Sequence, residues 1–221
     1  TRKRDMENII VIGAGQAGAS CVAKLRAEGF EGKITLIGDE PVPPYQRPPL
    51  SKAYLLGEMA LERLYLRPEA WYGDNGIELR LGTTVDAIDA AAKTVTIGDD
   101  VLSYDALVLA TGSTPRRLPA KIGGDLGGVH VVRTLADVDA MEPAVTEGRR
   151  ALIVGGGYIG LEAAAVARKR GMEVTLVEAT PRILGRVAAP ETADYFRELH
   201  RAQGVRVLEG VGLDCLNGVD G

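Results

Sequence analysis

Two glycine-rich stretches of the chain, GAGQAG and GGGYIG, have the G-x-G-x-x-G spacing that can hold the pyrophosphate of a dinucleotide. In such a motif the first glycine permits a tight turn from strand to helix, and the second lets the backbone approach the phosphates. The third lets the helix pack closely on the strand, so that the phosphates meet the amides at the positive end of the helix. The glycines concerned are Gly13, Gly15 and Gly18, then Gly155, Gly157 and Gly160.

An acidic residue follows each motif at the distance expected of a ribose ligand. Asp39 and Glu178 lie about twenty residues beyond the third glycine, each just after a second predicted strand. A carboxylate there accepts hydrogen bonds from ribose hydroxyls and disfavours a 2′-phosphate. A surface acid at a strand end is the alternative interpretation. Because a strand, a helix and an acid accompany both motifs, we interpret them as two dinucleotide sites.

Two strand–helix–strand units must position these residues. NIIVI and RALIV are apolar runs typical of buried strands, and the helical patterns after them end at Gly29 and Gly171. The sequence therefore predicts an α/β fold with two Rossmann-like dinucleotide-binding folds. The residues from IELR to VLATG alternate apolar and polar side chains, which predicts a small β-meander between the units that leads into a buried strand, ALVLATG.

Three further elements are predicted around the second unit. GVHVV is expected to form a strand, and Arg133 follows it directly. Thr134 is expected to cap a helix that has Asp137 at its third position. Another helix is expected to begin near Pro190 and end near Gly204.

The composition excludes several classes of protein. The 221 residues carry 26 basic and 30 acidic side chains, a net charge of −4, which gives no general reason to bind nucleic acid or an anionic membrane. No apolar run approaches membrane-spanning length. Cys21, expected to be buried in the first helix, and Cys215, expected in a late strand, form no C-x-x-C pair. His130 and His200 have no neighbours at metal spacing. We expect a soluble, cytoplasmic protein that binds no metal.

The stretch YQRPPLSK joins two cations through two prolines. Pro48 and Pro49 restrict the backbone and disfavour helix immediately before them. Arg47 and Lys52 are therefore expected to keep a fixed relation to each other at the start of the next helix. A generic surface loop has no need of such a constraint.

Four motifs, VIGAGQAG, YQRPPLSK, LVLATGSTPR and LIVGGGYIGLEAA, resemble in this order the FAD-dependent ferredoxin reductases of oxygenase systems. These are the putidaredoxin reductase and rubredoxin reductase group of the glutathione reductase-fold flavoproteins. The resemblance covers essentially the whole chain, and RPPLSK distinguishes this group from other flavoproteins of the fold. It implies that electrons pass from NADH through FAD to a [2Fe–2S] ferredoxin, or a rubredoxin, that feeds an oxygenase such as a cytochrome P450 or a ring-hydroxylating dioxygenase.

The resemblance also implies roles for particular residues. Lys52 would lie close to the isoalloxazine and pair with Glu162, and these two are the candidate catalytic residues. Arg182 and Arg186 lie near Glu178 and weaken its expected preference for NADH over NADPH. The residues implied for FAD are Gly13, Gly15, Gly18, Asp39, Arg47, Lys52, Thr111, Gly112 and Arg133. Those implied for NADH are Gly155, Gly157, Tyr158, Ile159, Gly160 and Glu178.

The resemblance implies a division of the chain into two incomplete domains. Residues 1–115 correspond to the N-terminal part of an FAD-binding domain and residues 116–221 to a truncated NADH-binding domain. The rest of the FAD domain and a C-terminal interface domain are expected to be absent. The final VGLDCLNGVDG is predicted to be a strand that enters a turn without its return strand. The chain alone is therefore expected to hold FAD weakly and to be an inactive fragment.

Other flavoenzyme activities compete with this interpretation. A related NADH-dependent enzyme with another acceptor, similar to NADH oxidase, and a flavoprotein similar to apoptosis-inducing factor both remain open. The disulfide reductases of the same superfamily require a redox cysteine in the segment after the first ribose acid. Here that segment reads EPVPPYQRPPLSK and contains no cysteine, so dithiol chemistry is not expected.

Overall fold

A computed structural model describes residues 6–218 of the chain. The chain falls into two compact units. Unit 1 consists of the residues up to Gln46 together with Leu61–Ser113, and unit 2 of Arg47–Ala60 together with the residues from Thr114 onward. The YQRPPLSK stretch is divided between the two units, and its larger part, from Arg47 onward, belongs to unit 2.

Unit 1 is built on a four-stranded sheet in which β1 occupies a central place. The strand order is β3-β2-β1-β7, and each neighbouring pair is parallel. A three-stranded antiparallel meander, ordered β4-β5-β6, is the second sheet of this unit. The elements are β1 Asn8–Ile12, α1 Gln16–Ala27, β2 Lys33–Ile37, α2 Glu69–Asp74, β3 Ile77–Arg80, β4 Ala87–Asp89, β5 Thr94–Ile97, β6 Asp100–Ser103 and β7 Ala106–Leu109.

The side chains of β1 are buried on both faces of the sheet. Ile9 and Val11 pack in a cluster with Val22 of α1, whereas Ile10 and Ile12 pack in a second cluster that includes Val95 of β5. Both faces of this parallel strand are thus covered by protein, which explains its continuous apolar sequence. The predicted buried strand NIIVI is confirmed.

The predicted meander is confirmed in part. Strands β4, β5 and β6 form it, but IELR, which we expected to open it, is β3 and joins the parallel sheet beside β2. The strand ALVL follows as predicted, yet Leu109 is 63% exposed, because β7 lies at the edge of its sheet. Sequence alternation could not separate the two sheets, because Ile77 and Leu79 of β3 alternate with polar residues just as meander residues do.

Unit 2 contains the second strand–helix–strand unit. Its parallel sheet has the order β10-β9-β8, and β8 therefore lies at an edge. On β8, Leu152 and Val154 are 49% and 46% exposed, so RALIV is not the buried strand that its apolar sequence predicts. The elements are α3 Leu135–Met141, β8 Arg150–Val154, α4 Tyr158–Lys169, β9 Glu173–Glu178, α5 Pro190–Ala202 and β10 Arg206–Glu209.

Two helices predicted in unit 2 are present, and two predicted strands are not formed by the described residues. The helix capped by Thr134 is confirmed, since its hydroxyl accepts from the Asp137 amide while the Asp137 carboxylate accepts from the Thr134 amide. The helix predicted to begin near Pro190 is α5. GVHVV, in contrast, forms no strand, and neither does the described part of the C-terminal stretch, residues 211–218, which includes Cys215. The last three residues of that stretch lie outside the described residues.

The prediction for the segment after the prolines was also wrong in detail. Pro48–Ser51 form one short 3-10 turn, and residues 52–57 continue as turns rather than as an α-helix. Among residues 6–218, no helix has the length and apolar character needed to cross a membrane.

Candidate functional site

The two glycine motifs make the same turn from strand to helix. The Gly13 amide donates to the Ile37 carbonyl, and the Gly155 amide donates to the Val177 carbonyl, each at 2.8 Å. The φ angles of Gly13 and Gly155 are +113° and +109°, values that residues with a Cβ rarely adopt. The first glycine of each motif is thus required by backbone geometry.

The third glycine of each motif is required by packing. A Cβ on Gly18 would lie 1.9 Å from the Gly13 carbonyl oxygen, and one on Gly160 would lie 2.0 Å from the Gly155 oxygen. The second glycine differs, since a Cβ on Gly15 or Gly157 would meet no described atom within 4 Å. The protein's own packing therefore does not require glycine there, and close approach by a phosphate is a physical reason to have one.

The helices that follow the glycine motifs begin without side-chain caps. Gly15 and Gly157 are the N-caps of α1 and α4, and the first turns of both helices contain no acidic residue. Helix α3, in contrast, has a full capping box. The amides at the start of α1 and α4 are therefore available to an anionic ligand, which the positive end of the helix dipole also favours. These cradles fit the pyrophosphates of two dinucleotides.

Glu178 is held at the end of β9 by hydrogen bonds to both carboxylate oxygens. Oε2 accepts from the Gly156 amide at 2.8 Å, and Oε1 accepts from the amide and the hydroxyl of Thr180, both at 2.7 Å. Burial raises the pKa of Glu178, but these hydrogen bonds and the charge of Arg186 outweigh it and leave the pKa below its ordinary value. The group is thus ionised and oriented beside the second glycine motif, as a ribose ligand must be.

The acid of unit 1 occupies a different position. Because Gly13 bonds to Ile37 as Gly155 bonds to Val177, the residue equivalent to Glu178 is Gly38, not Asp39. Asp39 lies one residue further along and is exposed. The sequence distance alone did not reveal this offset. Its proposed contact with a ribose stays a prediction.

The structure brings Lys52 and Glu162 together within unit 2. The Lys52 ammonium lies 2.7 Å from Oε2 of Glu162 and also donates to the Pro48 carbonyl at 3.1 Å. The hydroxyl of Ser51 donates to the same Oε2 at 2.7 Å. Glu162 projects from the second turn of α4, four residues after the Tyr158 that begins the helix. Its carboxylate therefore links the helix of the second glycine motif to the proline segment.

The proline segment is anchored to unit 2 at several points. Arg47 donates to the Arg133 carbonyl at 2.6 Å, which brings together two residues that the resemblance assigns to FAD. Further along, the Tyr54 hydroxyl donates to Asp139 at 2.8 Å, and Glu58 forms an ion pair with Lys169 at 2.6 Å. Lys52 is consequently positioned by both its own turn and the contacts on either side.

The remaining predicted residues are open to solvent in their separate units. Thr111 and Gly112 are exposed just after β7 in unit 1. Tyr158 and Ile159 are 58% and 56% exposed at the start of α4 in unit 2. Within the part of the chain that the structure describes, no three His, Cys, Asp or Glu side chains come together as metal ligands would.

Three residues beside the site were missed in the sequence. Ser51 and Thr180 donate to Glu162 and Glu178. Ser51 lies within YQRPPLSK but was given no role there, and Thr180 lies outside the motifs. Gly156 lies against Glu178, since a Cβ on it would lie 3.2 Å from the Glu178 Cβ and 2.5 Å from Ile183. The one sequence signal that could have pointed to any of these three residues is that the second motif begins with GGG where the first begins with GAG, and it points to Gly156 only.

Comparison with known proteins places the chain in a family. The model of the family described as pyridine nucleotide-disulphide oxidoreductase matches residues 7–220. The chain is 45% identical over 215 residues to a ferredoxin–NAD(P)(+) reductase of Sphingomonas sp., covering 97% of the chain and 52% of the relative. With putidaredoxin reductase of Pseudomonas putida the identity is 43% over 207 residues, covering 92% and 49%.

A solved structure agrees with these relatives. The crystal structure of the covalent putidaredoxin reductase–putidaredoxin complex superposes with a TM-score of 0.92 at 40% identity, covering 97% of this chain and 52% of that one. The chain thus spans about half the length of the relatives that it matches. Both the family model and these similarities extend over nearly all of its residues, and the chain therefore belongs to the pyridine nucleotide-disulphide oxidoreductase family.

Proposed function

We propose that this chain is the nucleotide-binding part of an NADH-dependent, FAD-containing ferredoxin reductase. The observation that carries the proposal is the Lys52–Glu162 pair, formed between the RPPLSK segment and the helix of the second glycine motif. The 45% identity to a ferredoxin reductase over 97% of the chain supports it. The acceptor would be a [2Fe–2S] ferredoxin, or a rubredoxin, that feeds an oxygenase such as a cytochrome P450 or a ring-hydroxylating dioxygenase.

Each unit has the groups to hold one dinucleotide. In unit 1, Gly13, Gly15 and Gly18 and the start of α1 would hold the FAD pyrophosphate. In unit 2 the second motif and Glu178 would hold NADH, with Arg47 and Lys52 contacting FAD. As domains, we propose residues 1–115 for FAD and 116–221 for NADH. A cytoplasmic location stays a prediction from the sequence.

The bound cofactors would supply the redox chemistry: a hydride from NADH, and from FAD a group that accepts two electrons and releases them singly. The chain supplies charge and position. The Lys52 ammonium favours negative charge near it, and Glu162 orients the ammonium and moderates its field. The hydrogen-bonded, ionised Glu178 favours a ribose with a free 2′-hydroxyl over one with a 2′-phosphate. Arg182 does not counter this, because its guanidinium is bound to the Ala188 and Gly185 carbonyls.

The relevant experiment uses the full-length protein of which this chain is a part. A flavin spectrum that NADH bleaches without oxygen is the expected result, and an unbleached flavin would contradict the proposal. Addition of a [2Fe–2S] ferredoxin should then accelerate the reduction of cytochrome c. Bleaching without this acceleration would favour another acceptor, such as oxygen, or a binding role.

Substitution of Lys52 tests the proposed role of its charge. Lys52→Ala should slow flavin reduction by about tenfold, because a charge near the reacting group is lost, while NADH affinity changes little. Stopped-flow absorbance gives both quantities from the dependence of the rate on NADH concentration. Lys33→Ala, which removes an exposed lysine of unit 1, is the matched control. An equal loss of rate and affinity in Lys52→Ala would argue against the electrostatic role.

A further inference from the structure

The carboxylate of Glu162 receives two donors on one oxygen. Oε2 lies 2.7 Å from the Lys52 ammonium and 2.7 Å from the Ser51 hydroxyl. We propose that Ser51 is a positioning residue: its hydroxyl fixes the Glu162 carboxylate and takes up part of its negative charge, and so sets the field that Lys52 presents to the flavin. This inference rests on the proposed function.

Burial distinguishes the Ser51 contact from the ion pair beside it. Ser51 is 5% exposed, whereas the side chains of Lys52 and Glu162 are 48% and 34% exposed. An ion pair this open to water is screened and holds long side chains only loosely. A hydrogen bond from a buried hydroxyl to a carboxylate is charge-assisted and competes with less water. Ser51 is therefore the better-fixed of the two donors to Glu162.

The backbone that carries Ser51 is itself constrained. Ser51 closes the 3-10 turn that Pro48 and Pro49 begin, and the Lys52 amide donates to the Pro49 carbonyl at 3.0 Å. Leu50, within the turn, is 1% exposed. Because the serine is short and lies directly before Lys52, one rigid turn delivers both donors to the same carboxylate oxygen. The three groups are assembled within unit 2.

The chemistry gives the direction of the effect. The hydroxyl hydrogen of Ser51 neutralises part of the charge on Oε2, so its removal leaves Glu162 with a stronger negative field. A more negative Glu162 holds the Lys52 ammonium more tightly and cancels more of its field, so less positive potential remains to favour the addition of electrons to a nearby group. Loss of the Ser51 hydroxyl should therefore make the flavin harder to reduce without weakening either dinucleotide's binding.

The test compares three variants of the FAD-loaded full-length protein. Ser51→Ala should shift the flavin midpoint potential to a more negative value and slow its reduction by NADH about three- to tenfold. Flavin content and the dissociation constant for NADH should stay at wild-type values. Ser51→Thr keeps a hydroxyl and should recover most of the rate and potential. Ser103→Ala, an exposed serine of β6, is the matched control and should behave as wild type.

A double-mutant cycle shows whether Ser51 acts through Lys52. In a Lys52→Met background, Ser51→Ala should change the rate less than twofold, because the ammonium whose pairing it tunes is gone. An effect of equal size in both backgrounds overturns the positioning role. An unchanged potential in Ser51→Ala overturns it as well.

A readout without flavin separates this inference from the proposed function. In the full-length protein freed of flavin, the Glu162 side-chain carboxyl carbon resonance should move in Ser51→Ala at neutral pH and stay in place in Ser103→Ala. An unmoved resonance overturns the inference. If the resonance moves but NADH never bleaches the flavin of the full-length protein, the contact is confirmed and the proposed function is wrong.

Discussion

The two strand–helix–strand units agree in their glycines and differ at the end of their second strands. In both, the first glycine has a φ near +110°, and a Cβ on the third glycine would lie about 2 Å from the first glycine's carbonyl oxygen. Unit 2, however, ends its second strand in Glu178, whereas the equivalent residue of unit 1 is Gly38. The turn is thus common to both units, and the group beside it is not.

The difference extends to the residue between the first two glycines. In unit 1 that residue is Ala14, and a Cβ on Gly38 would lie 2.4 Å from the Ala14 Cβ. In unit 2 it is Gly156, which leaves room for the Glu178 side chain. In each unit a side chain is present either between the first two glycines or at the end of the second strand, but not at both positions. The size of the residue between the first two glycines therefore decides whether an acidic side chain fits at the end of the second strand.

The two first strands also differ in their surroundings. Strand β1 lies between β2 and β7, and both its faces are packed. Strand β8 lies at an edge of its sheet, and alternate side chains, Leu152 and Val154, are about half exposed. Similar apolar sequences thus have different burial because of the elements beside them.

The largest expected effect concerns the first glycine. Gly13→Ala should lower the unfolding free energy of unit 1 by about 4 kcal/mol, because backbone strain is added to a clash 2.1 Å from the Ala110 oxygen. Gly155→Ala should lower the unfolding free energy of unit 2 by only about 1–3 kcal/mol, because a Cβ there adds backbone strain but clashes with no described atom. Urea unfolding followed by Trp71 fluorescence reports unit 1, and hydrogen exchange of the β9 amides reports unit 2. Equal losses would contradict the comparison.

A second effect concerns an acid that stabilises only unit 2. Glu209 of β10 bonds Arg197 at 2.6 Å and the Ile183 amide at 2.8 Å. Burial raises its pKa, but these bonds outweigh burial and lower it, so the carboxylate's stabilisation is complete above the unfolded pKa and is lost as pH falls through the folded pKa. Glu209→Gln should lower the unfolding free energy by about 2 kcal/mol at pH 7.

This loss should shrink in acid, below about pH 4. Urea unfolding at several pH values measures it, with Glu198→Gln as the matched control, because that carboxylate is 71% exposed. A difference between Glu209→Gln and wild type that does not vary with pH would show that the charge of Glu209 has no part in stability.

The ribose acids offer a third test of the comparison. Glu178→Gln should weaken NADH binding to the full-length protein by about tenfold, because an oriented, charged acceptor is lost. Asp39→Asn should change FAD affinity by less than about twofold, since Asp39 is exposed and offset from the equivalent position. Calorimetric titration measures both, and Glu173→Gln, at the far end of β9, is the control. A larger effect from Asp39 would show that the offset does not matter.

The smallest expected effect on stability concerns the second glycines. Gly15→Ala and Gly157→Ala should each change the unfolding free energy by less than about 1 kcal/mol, because a Cβ there meets no described atom within 4 Å. The same changes should weaken dinucleotide binding, since a phosphate would occupy that space. Thermal unfolding measures the stability of both variants, and titration with FAD for Gly15→Ala and with NADH for Gly157→Ala measures binding. Strong destabilisation would show that the second glycine serves the fold rather than the ligand.

Much of unit 1 and the helices of unit 2 could be predicted from local sequence. The apolar run of β1, the capping box of Thr134 and the start of α5 at Pro190 depend on interactions within a few residues. GVHVV and the C-terminal segment containing Cys215 are predicted as strands, but up to residue 218 neither forms one, because β-forming residues form strands only where a partner strand exists. Chain composition does not specify that partner.

The sequence alone determined the two glycine turns, since the G-x-G-x-x-G spacing places glycine at the positions that have a positive φ and a close carbonyl oxygen. Tertiary structure alone decided which sheet IELR joins, that Gly38 rather than Asp39 is equivalent to Glu178, and that Ser51 and Lys52 share one oxygen of Glu162. Each of these depends on contacts between residues distant in sequence, over one hundred positions apart for Ser51 and Glu162. Local spacing specifies a turn, but only the packed chain specifies what lies beside it.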